Sequence, residues 1–195
     1  PKGAIVGTTS LRRRMAIKML RPDLELKDLR GNINTRIAKL NAGEYDAIIL
    51  AATGIEKLSL QNEVKYFSAI PTDVMIPSMG QATLGIETTT DPKIIEIVKV
   101  LNDKNAEIES KIERGFVDTL QGGCQVPIGV KATILDEKSV KIDAIVGLPD
   151  GTEYIKESKV TDITTFEIAG KEFAQDFIAK GAVELLKRAE AMAFK

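Results

Sequence analysis

The sequence has 195 residues, 44% apolar and 28% charged, with a formal net charge of −1, one cysteine and no histidine. Such a composition supports a packed core. It excludes His-based metal centres, Ser-His-Asp triads, Cys-His nucleophile pairs and an internal disulfide. Near-neutral charge offers no broad nucleic-acid surface, and no apolar run is long enough to span a membrane. No leader reads as a signal peptide, and a single thiol suits a reducing, cytoplasmic setting.

Pro1-Lys2-Gly3 runs directly into an apolar strand at 4–6 without an initiator Met, so a fragment of a longer protein is expected. Gly7-Thr8-Thr9-Ser10 is a turn ending in a cap-type residue. From Leu11, the apolar positions Leu11, Met15 and Met19 fall four apart, one stripe of a helix, which Arg21-Pro22 stops. A strand at 24–29, a helix with Ile33, Ile37 and Leu40 inward, and a buried strand at 46–51 complete a βαβα pattern with parallel strands. Gly43 ends the second helix, and a short helix is expected at 54–60.

Residues 61–80 are irregular, with turns at Pro71 and Pro77, and 83–87 is a short strand candidate. Asp91-Pro92 is a helix start, with Ile94, Val98 and Leu101 inward. A further helix carries Ile108, Ile112, Phe116 and Leu120, interrupted by Gly115 for no local reason. Beyond Gly122-Gly123-Cys124 the pattern changes to strands at 131–135, 140–147 and 154–160, the last two joined by a Pro149-Asp150-Gly151 turn. Phe166, Ala169, Phe173 and Phe177 then mark a helix, and Gly181 ends or kinks it before a last helical run. The fold class is therefore α/β followed by α+β, with a boundary near 101–105.

Thr8-Thr9-Ser10-Leu11-Arg12-Arg13-Arg14 carries the strongest chemical signal. A helix start attracts anions, and its dipole disfavours cations there, so arginines in the first turn imply a bound anion. The second βα unit repeats the arrangement, with Arg30 at a strand end, Gly31-Asn32 opening a helix and Arg36 one turn in. Both loops open at the carboxyl ends of parallel strands, where ligands bind. Guanidinium forks pair bidentately with carboxylates or phosphates, so several together suit a polyanion. The alternatives are a solvated charged face, and surface pairing of Arg36 with Glu44 or Asp46. Cys124, between two glycines and Gln125-Val126-Pro127, is either a small buried apolar group or an accessible reactive thiol.

Four blocks resemble the hydroxymethylbilane synthase (porphobilinogen deaminase) family. They are Gly7-Thr8-Thr9-Ser10-Leu11-Arg12-Arg13, Leu29-Arg30-Gly31-Asn32-Ile33-Asn34-Thr35-Arg36, Glu44-Tyr45-Asp46-Ala47-Ile48-Ile49-Leu50-Ala51, and residues 120–129 around Cys124. The resemblance covers the whole chain. It implies three domains about a cleft, the first two like periplasmic binding proteins. Residues 1–76 would be domain 2 (periplasmic-binding-protein-like α/β) and 77–102 the hinge and returning segment of domain 1. Residues 103–195 would be domain 3, a small antiparallel-sheet α+β domain bearing the cofactor cysteine. Most of domain 1 would be missing, and with it the family's catalytic aspartate.

The resemblance further implies that four porphobilinogen molecules are joined head to tail with loss of ammonia, in haem biosynthesis. A dipyrromethane covalently attached to Cys124 primes the chain. Every pyrrole carries an acetate and a propionate, so Arg12, Arg13, Arg30 and Arg36 become carboxylate clamps at the catalytic site. Thr8, Thr9, Ser10, Gly31 and Gln81 would help bind the cofactor, with no metal, nucleic-acid or membrane partner. Arg14 lies outside the motif and is expected to face solvent. Thr9 stands for a usual serine, and Ala82 for a usual glycine, which should restrict the turn there. The parent would be a monomer. Without domain 1, residues 83–101 are expected either to shift or to pair with a second copy, and the fragment to be inactive.

Overall fold

A computed structural model describes residues 1–121 and 126–193. Ahead of residue 58 the chain alternates strand and helix. The strands β1 (Ile5–Gly7), β2 (Glu25–Lys27) and β3 (Ala47–Ile48) form a parallel sheet in the order β2-β1-β3. Helix α1 (Leu11–Leu20) begins at Ser10, whose side chain accepts from the Arg13 N–H, and ends at Arg21, ahead of Pro22. Helix α2 (Ile33–Asn41) is capped by Asn32, which accepts from Thr35 N–H at 2.9 Å. The chain leaves it through Gly43 at φ +80°, a left-handed position that glycine takes without penalty. Helix α3 (Ala52–Lys57) follows.

The βαβα reading holds, but two strands are shorter than expected. Pairing at 24–29 is confined to three residues, and 46–51 contributes only Ala47–Ile48. Residues 47–50 are half-buried or exposed rather than buried. The reason is position: β3 lies at the edge of its sheet, and a continuous apolar run is buried on both faces only where layers cover both.

One 3-10 turn, Gln61–Glu63, interrupts the otherwise irregular run that reaches 91. No strand forms at 83–87, and Leu84 and Ile86 are exposed. A strand needs a neighbour, and among the described residues none lies alongside. Helix α4 (Pro92–Lys99) starts as read, at Asp91 and Pro92. Its apolar stripe does not face inward: Ile94, Ile95, Ile97 and Leu101 are exposed and Val98 half-buried. Periodicity specified the helix correctly, but the stripe has no apolar surface to meet within the described residues.

Beyond residue 103 the packing is dense. Helix α5 (Lys104–Thr119) buries Ile108, Ile112 and Phe116, with Leu120 at its end. Strands β4 (Ile128–Ile134), β5 (Ser139–Gly147) and β6 (Tyr154–Asp162) form an antiparallel meander, followed by α6 (Phe166–Ala179) and α7 (Ala182–Ala193). Phe116, Phe173 and Phe177 stack edge-on or tilted, with ring centroids 5.1–5.7 Å apart, at the centre of the core. Gly115, unexplained by sequence, faces Lys171 and Gly170 of α6. At Gly170 a Cβ would stand 1.9 Å from the Ile112 carbonyl oxygen, so α5 and α6 cross backbone to backbone.

The two regions meet along α1. Met15, Ile76 and Ile145 form a buried cluster between them. A Cβ on Gly147 would lie 2.7 Å from Met15 Sδ, and one on Gly151 2.8 Å from Met19 N, so the β5–β6 hairpin sits directly against the helix. The outer edge of β4 is also engaged. Its alternate N–H groups at Val130, Ala132 and Ile134 donate to Pro77 O at 2.9 Å, Glu113 Oε1 at 3.0 Å and Glu109 Oε1 at 3.1 Å.

Candidate functional site

The β1–α1 and β2–α2 loops lie side by side at the carboxyl ends of the parallel strands, and Thr9 ties them together. Its hydroxyl donates to Leu29 O at 2.8 Å and accepts from Leu29 N–H at 3.2 Å. Thr8 is buried, and its Oγ1 accepts from Ser10 N–H at 3.3 Å. The hydroxyls of this turn therefore hold the loop geometry as well as lining it. Gly31 opens the second loop at φ +118°, where any Cβ would also strike Thr35.

From this frame the arginines diverge. Arg12 is buried at 6% exposure, and its Nη1 donates to Ile76 O at 2.7 Å and Nη2 to Gln81 Oε1 at 3.1 Å. Arg13 is half-buried, with Nη1 on Ile49 O at 2.9 Å beyond β3. Arg36 Nε donates to Gly31 O at 2.8 Å, so it pairs with neither Glu44 nor Asp46. Asp46 is instead engaged by the Ile5 N–H at 2.7 Å. Arg30 is 79% exposed and stands 3.7 Å from Asp28. Arg14 departs from expectation: it is 25% exposed, with Nε on Thr8 O at 3.2 Å and Nη2 on Asp28 at 2.6 Å. Asp28, at the end of β2, draws it back across the loop.

Burial pushes the Arg12 guanidinium down to about 10, helped by the charge of Arg13, so it remains a cation at neutral pH. Burial also lowers Arg13, and the charge of Arg36 adds to it. Arg12, Arg13 and Arg36 thus form a mutually repelling group, and among the described residues none of the three has a carboxylate partner. Buried Arg12 and half-buried Arg13 and Arg36 meet only neutral acceptors, so their charge is left uncompensated by any described carboxylate.

Two acids were missed by sequence reasoning. Asp28 sits between Arg14 and Arg30, a placement hinted at by its position just before Leu29-Arg30-Gly31. Glu113 is 8% exposed on α5, one residue past the inward Ile112, where helical spacing places it at the margin of the buried stripe. Gln81 is brought to Arg12, accepting from its Nη2 through Oε1. Ala82 adopts φ +80°, so the left-handed conformation is kept despite the methyl. Cys124 lies outside the described residues, between the end of α5 and the start of β4. A largely apolar cleft of about 240 Å³, bounded by Met15, Met19, Val74 and Lys156, lies at the seam between the two regions and takes in only Arg12 of the cluster.

Two family models match the sequence. The one described as porphobilinogen deaminase, dipyromethane cofactor binding domain, matches residues 1–96, and the one described as porphobilinogen deaminase, C-terminal domain, matches 107–179. The chain is 76% identical over 195 residues to the porphobilinogen deaminase of Aliarcobacter butzleri, covering 100% of this chain and 62% of the relative. It is 57% identical to that of Sulfurimonas denitrificans over 98% of this chain and 61% of the relative. To that of Campylobacter concisus it is 55% identical, over 99% and 62% respectively. The chain therefore spans about 62% of the length of these curated relatives. With two adjoining domain models and relatives at this identity, the chain belongs to the porphobilinogen deaminase family.

Proposed function

We propose that the intact protein is a hydroxymethylbilane synthase, condensing four porphobilinogen molecules head to tail with loss of ammonia. The observation that carries this reading is the acid-free group of Arg12, Arg13 and Arg36 at the strand ends. A growing oligopyrrole bears two carboxylates per ring, and guanidinium forks match them in charge and shape. Arg30, the most exposed of the four, reaches outermost. The donor set fits a dipyrromethane attached through a thioether to Cys124, with Arg12, Arg13, Arg30 and Arg36 holding its carboxylates and Thr8, Thr9, Ser10, Gly31 and Gln81 framing the loops. When bound, that group supplies the pyrrole carbon to which each incoming ring is joined. The residues of this chain orient it and hold successive additions close to one tether, which makes each step effectively intramolecular.

The division into 1–76, 77–102 and 103–195 is part of the same reading, supported by the separate apolar clusters of the two larger parts. A periplasmic-binding-protein-like character for the first is supported by its parallel sheet with ligand loops at the carboxyl ends. No described helix is long and apolar enough to cross a membrane, and a cytoplasmic site of action accords with the single thiol. The resemblance assigns the proton-handling aspartate to a part of the relatives outside this chain's span. Residues 1–195 by themselves are therefore inactive in this reading.

Intact mass of the full protein tests the proposal. A dipyrromethane adduct is expected on the wild type and absent from Cys124→Ser, which should fold but fail to consume porphobilinogen. A wild type without adduct that still binds dicarboxylates would leave only an anion receptor.

A further inference from the structure

Glu113 is the sole acid among the buried polar and charged side chains described, and its hydrogen bonds go to main-chain N–H groups rather than to the arginines. Its two oxygens do different work. Oε1 accepts the N–H of Ala132 on the edge of β4 at 3.0 Å. Oε2 accepts the N–H of Gly80 at 2.7 Å, in the segment that links the two regions. One carboxylate therefore joins α5, β4 and the hinge. Of these, α5 and β4 are the elements on either side of Cys124 in the sequence.

The segment it grips is folded tightly. Gln81 N–H donates to Ser78 O at 3.1 Å and Thr83 N–H to Gly80 O at 3.0 Å, two turns in succession. Gly80 at φ +65° and Ala82 at φ +80° both occupy the left-handed region. For alanine that conformation costs on the order of 1 kcal/mol and persists only if its surroundings impose it. Held between those positions, Gln81 presents Oε1 to Arg12 Nη2 at 3.1 Å, and Ser78 Oγ supports the same oxygen at 3.4 Å. A path of hydrogen bonds thus runs from Glu113 through the 78–82 turn to the guanidinium of Arg12.

We propose that Glu113 is a positioning residue, whose carboxylate fixes the 78–82 turn so that Gln81 holds Arg12 in its ligand-facing orientation. A carboxylate is required because both N–H donors need an acceptor oxygen, and a glutamine can offer only one. The last link rests on the reading of Arg12 as a carboxylate clamp. The first links do not.

Hydrogen exchange and steady-state kinetics on the full-length protein separate them. In Glu113→Gln, exchange of residues 78–83 should rise about tenfold, the change expected when one charge-assisted hydrogen bond is lost. The half-saturating porphobilinogen concentration should rise about three- to tenfold with kcat within about twofold, the signature of lost binding rather than lost chemistry. Gln81→Ala, at an exposed position that spares the core, should reproduce the binding defect while leaving exchange at Ala132 unchanged. Combined with Arg12→Lys, Glu113→Gln should add little further loss, because both act through one guanidinium. Unchanged exchange at 78–83 in Glu113→Gln would overturn the grip on the turn. Normal half-saturation in Gln81→Ala, or additive losses in the double variant, would overturn the path to Arg12. Normal half-saturation in Arg12→Lys alone would defeat the clamp reading and, with it, the last link, while leaving the exchange result standing.

Discussion

The two regions of this chain solve the burial problem unequally. Residues beyond 103 enclose one continuous core from α5, α6, α7 and three strands, centred on Phe116, Phe173 and Phe177. The part before it assembles a small cluster of Val6, Ala16, Ile17 and Met75 and leaves Leu84, Ile86, Ile97, Val100 and Leu101 exposed. Both have comparable apolar sequence. What differs is whether the surface an element must meet lies within the chain: α5 meets α6 and a sheet, whereas α4 meets none of the described elements on its apolar face. Self-sufficiency here is a property of partners rather than of hydrophobicity.

That contrast can be broken most severely at Phe116. Phe116→Ala removes a fully buried ring from between two others and should cost about 4 kcal/mol, read as a fall in the urea midpoint. A loss below about 1 kcal/mol would mean the second region has no rigid core.

pH sharpens the contrast, because the buried acid, Glu113, belongs to one region and the buried base, Arg12, to the other. Arg12 titrates near 10, outside the range in which carboxylates change charge. Glu113 is raised above the usual carboxylate range by burial, against the pull of the Gly80 and Ala132 N–H groups; Glu109 raises it further, and Lys131 opposes this. A folded-state value above the unfolded one, about 4.3, means a contribution fully present below that pH and lost as pH rises through the folded value. The stability of wild type relative to Glu113→Gln should therefore fall between about pH 4 and the folded titration point. Asp23 and Glu107, both lowered to about 2, titrate below that window and are common to both proteins. Parallel stability curves for the two would contradict the assignment.

The smallest effect is expected on α4. Ile97 is 67% exposed, so Ile97→Ser should change the stability of these 195 residues by no more than about 0.5 kcal/mol. In sedimentation over a concentration series, the same substitution should weaken any self-association through 83–101. A loss of several kcal/mol would show that the stripe is already packed, ending the contrast.

Much of this was legible in the residues because it is local. Spacing of four from Ile108 to Leu120 declares a helix and its buried face, and Asp91-Pro92 declares a start wherever the helix ends up. The arginine loops were legible because their cations stand at helix starts that disfavour them. What escaped depends on atoms distant in sequence. The failed strand at 83–87 carries a suitable pattern and lacks a neighbour among the described residues. Gly115 makes sense only beside Gly170 of α6, and Arg14 turns inward only because Asp28 waits across the loop. Glu113 reads as one more surface acid until its two main-chain partners, 33 residues before it and 19 after, are in view.

The glycines under α1 have a mechanical meaning. With Gly147 against Met15 and Gly151 against Met19, the hairpin bears on the helix without clearance. At 1.5 Å per residue, Leu11 lies about 12 Å from Met19, so a tilt of roughly ten degrees about Met19 swings the arginine end through about 2 Å. A shift of the β5–β6 hairpin against Met15 and Met19 would therefore be felt at the guanidinium groups on the opposite end of the same helix.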